Sequence, residues 1–363
     1  MNSDQSAVSS GERLKRLRRE MASQALDGFL VTDMLNVRYV SGFTGSYAAV
    51  LVTRDTAYLL TDSRYTLQAS EESPDFRLET IENRWTGPMK ALIERLHLKN
   101  VGFEGHSLSH RDWTELGRLN LTDADDPIGR LRWVKDESEL AAIREAVRIA
   151  DLAYEHISAF LEPGMTEREV ATELDCFIRK AGAEREAFDP LVATGPRSAL
   201  PHGKPTERKL AEGELVLLDF GAKWHGYHSD ITRTVVLGKA DSKQQEIYDI
   251  VLEAQHAGIA AIRSGIAGGE VDAVARKVIV DAGYGEYFGH GLGHGLGLDV
   301  HDGRMLAKNS EIILEAGMVV TVEPGIYIPE WGGIRIEDDA VVTESGSEVL
   351  TTSPRKLSLE RSD

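Results

Sequence analysis

With 363 residues, 42% of them hydrophobic, the chain is long enough to form two domains, each with a core of its own. A formal net charge of −18, from 59 acids against 41 bases, argues against nucleic-acid binding, because neutralising phosphates needs a clustered positive surface. There is no apolar stretch of the roughly twenty residues that span a bilayer and no leader-length apolar run in the first thirty residues. The single Cys176 excludes an intramolecular disulfide, so a cytoplasmic protein is expected.

The basic run from Arg13 to Arg19 contains Leu14 and Leu17, with Met21 next in the same helical rhythm, and reads as the wet face of an amphipathic helix. Short apolar strands are expected at 28–32, 48–53 and 57–61, alternating with helices, which makes residues 1–130 an α/β domain. The pattern changes between Asp126 and Lys135, and residues 131–363 form the second domain. Its long opening helix, 136–161, stops at Pro163-Gly164, and a second helix covers 167–180. Within that second helix Cys176, beside Leu174, Phe177 and Ile178, is read as a small buried apolar residue.

A degenerate repeat organises the second domain. Helices at 243–263 and 270–281 mirror the first pair, and Gly213-Glu-Leu-Val-Leu-Leu-Asp219-Phe-Gly221 aligns with Gly317-Met-Val-Val-Thr-Val-Glu323-Pro-Gly325. Each half thus offers an acid at the end of an apolar strand, where burial is costly unless a cation is near. A strand over 229–237 brings Asp230 beside Asp219. A strand over 334–339 points Arg335 and Glu337 to one face and Ile334 and Ile336 to the other. Taken singly these acids are ordinary turn or edge residues. Four of them converging repel one another strongly, and a metal centre is the simplest resolution. An imidazole is expected from 290–301, where three histidines, His290, His294 and His301, are spaced by glycines that permit close backbone approach. Such a donor set suits manganese, cobalt, iron or zinc.

At these residues the sequence resembles the methionine-aminopeptidase and prolidase superfamily, the pita-bread metallopeptidases, over about 137–344. The resemblance implies metal ligation by Asp219, Asp230 in Tyr-His-Ser-Asp-Ile-Thr-Arg-Thr, His294, Glu323 in Thr-Val-Glu-Pro-Gly, and Glu337 in Arg-Ile-Glu-Asp. Creatinases share the fold but lack this set. His301-Asp302 looks like the proline-peptidase branch, since methionine aminopeptidases usually have a proline shortly after the corresponding histidine. Asn36-Val-Arg-Tyr-Val-Ser-Gly-Phe-Thr-Gly-Ser46 and Thr61-Asp-Ser-Arg-Tyr65 are similar to the creatinase-type domain of aminopeptidase P and prolidase. The implied architecture is an α/β creatinase-like domain followed by an α+β pita-bread domain with an internal pseudo-twofold repeat.

The resemblance further implies a homodimer acting on proline-containing peptides, with two divalent cations, manganese first, sharing an activated water. Glu323 is expected to shuttle the proton. Tyr327, His290 and His301 are expected to wall the proline pocket and stabilise the oxyanion, and His202 to lie near the substrate. Arg335 either holds a ligand carboxylate or meets the carboxylate of a short substrate; Arg64 and Arg197 are the other candidates for that charge. His225 and His228 read as hairpin residues only. The leading activity is removal of an N-terminal residue before proline. The alternatives are a dipeptidase restricted to Xaa-Pro and a metal-free binding protein on the same fold.

Overall fold

The computed structural model describes residues 10–117, 119–303 and 305–359. Two compact units are present, Met1–Arg132 and Trp133–Asp363. In the first, six strands lie in the order Arg77–Ile81, Ala57–Asp62, Ala49–Thr53, Gly28–Val31, Val101–Phe103 and Leu121–Asp123. Gly28–Val31 is antiparallel to Ala49–Thr53 and parallel to Val101–Phe103. The helix Ser10–Ser23 buries Leu14, Leu17 and Met21, so the basic run around them is its wet face, as their spacing requires.

In the second unit the helix Glu137–Phe160 begins at a capping box in which Asp136 and Glu139 satisfy each other's backbone N–H. The next helix, Glu167–Lys180, has the same device in Thr166 and Glu169. The second pair, Ser242–Ala261 and Gly268–Asp281, stands at the corresponding places of the second half. Each pair covers an apolar core of its own, one built on Ile149, Ile157, Leu174 and Val216, the other on Ile247, Val251, Val271 and Val320. Cys176 is exposed, contrary to expectation. The buried side of its helix is Val170, Leu174 and Ile178, spaced at i and i+4, and a residue two positions from Leu174 falls on the opposite face.

The strands also depart from the sequence reading in detail. Leu215–Phe220 pairs antiparallel with Ile231–Leu237, but Asp219 stands opposite Thr232, not Asp230. Between them the chain makes an extra hairpin, Ala222–Trp224 with Tyr227–His228, and Asp230 lies just before the ladder. In the second half the expected strand is broken in two, Gly332–Arg335 and Asp338–Val342. Val319–Val322 pairs with the latter through Val322 and Asp338, so the next pair in that register is Glu323 with Glu337. Glu337 sits in the break, where its N–H reaches across the repeat to the carbonyl of Thr232 at 3.1 Å.

Candidate metal centre

The histidine segment is laid alongside the strand Val319–Val322. Thr321 N–H donates to the His294 carbonyl at 2.9 Å and Glu323 N–H to the Leu292 carbonyl at 2.7 Å. Such proximity excludes a side chain at the intervening positions. A Cβ on Gly293 would come 1.9 Å from the Thr321 carbonyl oxygen, and one on Gly295 would come 2.1 Å from that of Asp302. The glycine spacing therefore serves close approach, and it fixes the height at which His294 leaves the loop.

Asp230, His294 and Glu337 are buried and each offers a donor atom within 4.8 Å of the other two. His294 Nδ1 lies 3.0 Å from the Gly295 carbonyl, which assigns the ring proton there and leaves Nε2 free to ligate. Nε2 faces Asp230 Oδ2 at 3.6 Å and Glu323 Oε1 at 3.5 Å. Burial lowers the pKa of His294, so these are approaches of a neutral ring to carboxylates and not ion pairs. Asp219 borders the same cavity with one oxygen turned to Arg335.

The electrostatics of this cluster is what a cation would relieve. Burial, then the neighbouring acids Glu337, Asp219, Asp339 and Glu323, push Asp230 well above the usual carboxylate range. Burial followed by Glu323 and Asp219 does the same to Glu337, and burial takes Glu323 up to about 7 against the pull of Arg335. Asp230 Oδ1 is buried with no hydrogen-bond partner among the described residues. A buried carboxylate oxygen left over in a ring of like charges, beside a neutral imidazole nitrogen, fits a divalent cation.

All ten side chains expected at the site border one cavity of about 990 Å³, together with Phe188, Asp189, Leu191 and Glu286. His290 Nδ1 faces the Gly291 carbonyl at 2.8 Å, and Tyr327 Oη donates to its Nε2 at 2.9 Å. Burial lowers His290 to about 4, so it stays neutral and accepts that bond. His301, exposed, has its ring centroid 4.3 Å from that of His294. His202 is exposed as well.

Residues 141–344 match metallopeptidase family M24, and residues 13–134 match the creatinase/prolidase N-terminal domain. The chain belongs to family M24. An Xaa-Pro dipeptidase from Pyrococcus horikoshii is 39% identical over 95% of this chain and 98% of its own length. Among solved structures, an Xaa-Pro dipeptidase from Bacillus anthracis shares 43% identity at a TM-score of 0.94, covering 96% of this chain and 99% of its own. An X-Pro aminopeptidase from Thermotoga maritima shares 39% at 0.86, covering 93% and 99%. The creatinase-like and pita-bread architecture and the proline-peptidase branch expected from the sequence are thus borne out, and this M24 metallopeptidase carries divalent-metal chemistry.

The supporting side chains of the M24 site were not singled out from the sequence. Thr232 Oγ1 donates to Glu337 Oε2 at 2.5 Å, Asp230 N–H donates to Asp339 Oδ2 at 3.0 Å, and His294 N–H donates to Thr321 Oγ1 at 3.0 Å. A signal existed for the first: Thr232, Arg233 and Thr234 are polar residues in a strand buried along its whole length, and buried polar groups need partners. His228, expected only to turn a hairpin, is buried with Nδ1 3.0 Å from the Gly297 carbonyl. That contact ties the hairpin to the histidine segment.

Arg335 holds the Asp219 carboxylate in place. Its Nη2 donates to Asp219, Nη1 to Tyr327 Oη at 3.0 Å and to the Pro201 carbonyl at 3.3 Å, and Nε to Thr232 Oγ1 at 2.9 Å. A guanidinium so engaged and 4% exposed is poorly placed to meet a substrate carboxylate. Arg64 is paired with Asp62, and Arg197 with Glu167. Arg335→Lys keeps the charge and gives up the planar fork. Loss of such a supporting partner is expected to lower manganese affinity or kcat/KM by about 10–100-fold, read by calorimetric titration and steady-state kinetics.

Proposed function

We propose that this M24 chain hydrolyses the peptide bond between an N-terminal residue and a following proline. The observation that carries the reading is the convergence of Asp219, Asp230, His294, Glu323 and Glu337 on one cavity whose wall also holds His202, His290, His301 and Tyr327. These five side chains would hold two divalent cations, manganese first and cobalt, zinc or iron as alternatives. When bound, such a pair neutralises the carboxylates and acidifies a water enough for attack near neutral pH.

The chain's own groups do the rest. Glu323 takes a proton at its free carboxylate oxygen and returns it to the leaving nitrogen, and its burial makes it a stronger base than a carboxylate in water. An Xaa-Pro amide has no N–H, so recognition must rest on shape. The rings of His290 and Tyr327, 5.4 Å between centroids, are locked to each other and to Arg335 and offer a fixed wall for the proline ring. His202 and His301, exposed at the cavity, are left to donate to the oxygen of the scissile carbonyl.

Two readings differ in the length of peptide accepted. The aminopeptidase reading, our first from sequence, needs no group for a C-terminal carboxylate. The dipeptidase reading needs one and a closed end, and is favoured by the names of the Pyrococcus and Bacillus relatives. Hydrolysis of Xaa-Pro is compared with that of Xaa-Pro-Xaa in the presence of manganese. Cleavage of both gives the aminopeptidase, cleavage of the dipeptide alone gives the dipeptidase, and cleavage of neither overturns the proposal. Absence of stoichiometric divalent metal after reconstitution would instead favour a binding protein. A cytoplasmic homodimer is part of the proposal and is checked by light scattering and fractionation; no described helix is long and apolar enough to cross a membrane.

A further inference from the structure

Glu167 opens the helix Glu167–Lys180, where an acid is favoured by the helix dipole and ordinarily faces water. Here it is wholly buried. Its Oε1 accepts from Thr194 N–H at 2.8 Å and Thr194 Oγ1 at 3.0 Å, and its Oε2 from Thr206 N–H at 2.9 Å and Thr206 Oγ1 at 2.6 Å. Arg197 Nε lies 3.3 and 3.2 Å from the two oxygens, and Arg197 Nη2 donates to the Lys204 carbonyl at 2.7 Å. A single carboxylate therefore ties together both ends of the segment 194–206.

The middle of that segment reaches the cavity through Pro201 and His202. It is fastened there by two more bonds: Arg335 Nη1 donates to the Pro201 carbonyl, and Gly333 N–H donates to Ser198 Oγ at 2.8 Å. Helix initiation asks for none of this, since Thr166 and Glu169 already complete the capping box. A buried charge with this many donors from two separate places fixes geometry, because loosening either end would strip it of partners.

We propose that Glu167, with Arg197, is a positioning residue that sets where His202 stands in the cavity. The proposal rests on the reading of His202 as a group that meets substrate. Arg197, one of the cations considered for a substrate carboxylate, is on this view committed to the loop.

The test measures kcat/KM for an Xaa-Pro dipeptide with manganese in Glu167→Gln, Arg197→Ala, His202→Ala and the double variant of Glu167→Gln with His202→Ala. Glu167→Gln and Arg197→Ala are each expected to lower kcat/KM about ten-fold, with manganese affinity unchanged to about two-fold, and Glu167→Gln to cost nothing further once His202 is gone. An equal loss with and without His202, or a parallel fall in manganese affinity, would overturn the proposal in favour of a general structural role. Should Glu167→Gln fail to fold, Arg197→Ala, whose side chain is 30% exposed, carries the same cycle. If the wild type cleaves no Xaa-Pro substrate, the functional reading fails, and amide hydrogen exchange still decides the positioning claim. Faster exchange confined to 194–206 in Arg197→Ala supports it, whereas unchanged or chain-wide exchange refutes it.

Discussion

Glu323→Gln is expected to fold and to lose turnover by roughly a thousand-fold, the scale of a lost general acid–base group. The side chain follows directly on the strand Val319–Val322, and its backbone N–H donates to the Leu292 carbonyl, so main-chain bonds fix its place whatever the side chain. Glutamine preserves volume and leaves the 3.4 Å contact with Thr321 Oγ1 available. What it lacks is the charge that faces His294 Nε2 and an oxygen basic enough to take a proton. Metal affinity should therefore fall too, and the variant is to be assayed at saturating manganese with metal content measured in parallel. Turnover close to that of the parent at full metal loading would remove Glu323 from the proton path.

Metal should stabilise the fold far more at pH 8 than at pH 5. Without cations Glu323 has its pKa raised from 4.5 to about 7, chiefly by burial, and Asp230 and Glu337 are shifted in the same direction. A group whose pKa is higher folded than unfolded binds more protons when folded. Its stabilising contribution is complete below about 4.5, the unfolded value, and is lost as pH rises through about 7. The metal-free protein is thus expected to weaken across that window, as the buried carboxylates ionise against one another. Cations reverse the balance because they bind only the ionised form, releasing protons as they do so. Thermal unfolding with chelator and with manganese should show two curves close together at pH 5 and well apart at pH 8. Calorimetry in two buffers of different ionisation enthalpy should show protons released on binding near pH 6. Curves that stay parallel over the whole range would mean that these acids do not form the metal site.

The four acids of the candidate site are legible in the sequence, and the reason lies in the repeat. Asp219 and Glu323 each close an apolar strand between glycines, and a buried acid recurring at the same place in two halves has few explanations other than a cation. The histidine segment was legible because glycines space His290 and His294, and glycine at such spacing announces a backbone that must pass close to another; the choice of His294 came from the family resemblance. Cys176 was misread because its apolar neighbours in sequence lie on other faces of the helix. The extra hairpin after Phe220 and the break at Glu337 were missed because both answer to what lies across the repeat, which local alternation of polar and apolar residues does not record.

From the sequence by itself came the two-domain order, four acids at strand ends and a histidine segment, because strand-end burial and ligand chemistry are properties of residue type and local pattern; the family and the five proposed ligands came from the motifs that resemble it. Only the tertiary structure decided what holds them and the neighbouring segment 194–206. Thr232 meets Glu337, Arg335 meets Asp219, and Glu167 gathers Thr194, Arg197 and Thr206. Each is a hydrogen bond between distant stretches of chain, and its existence depends on the register in which the two halves dock and the loops close, a quantity that no short window of residues contains.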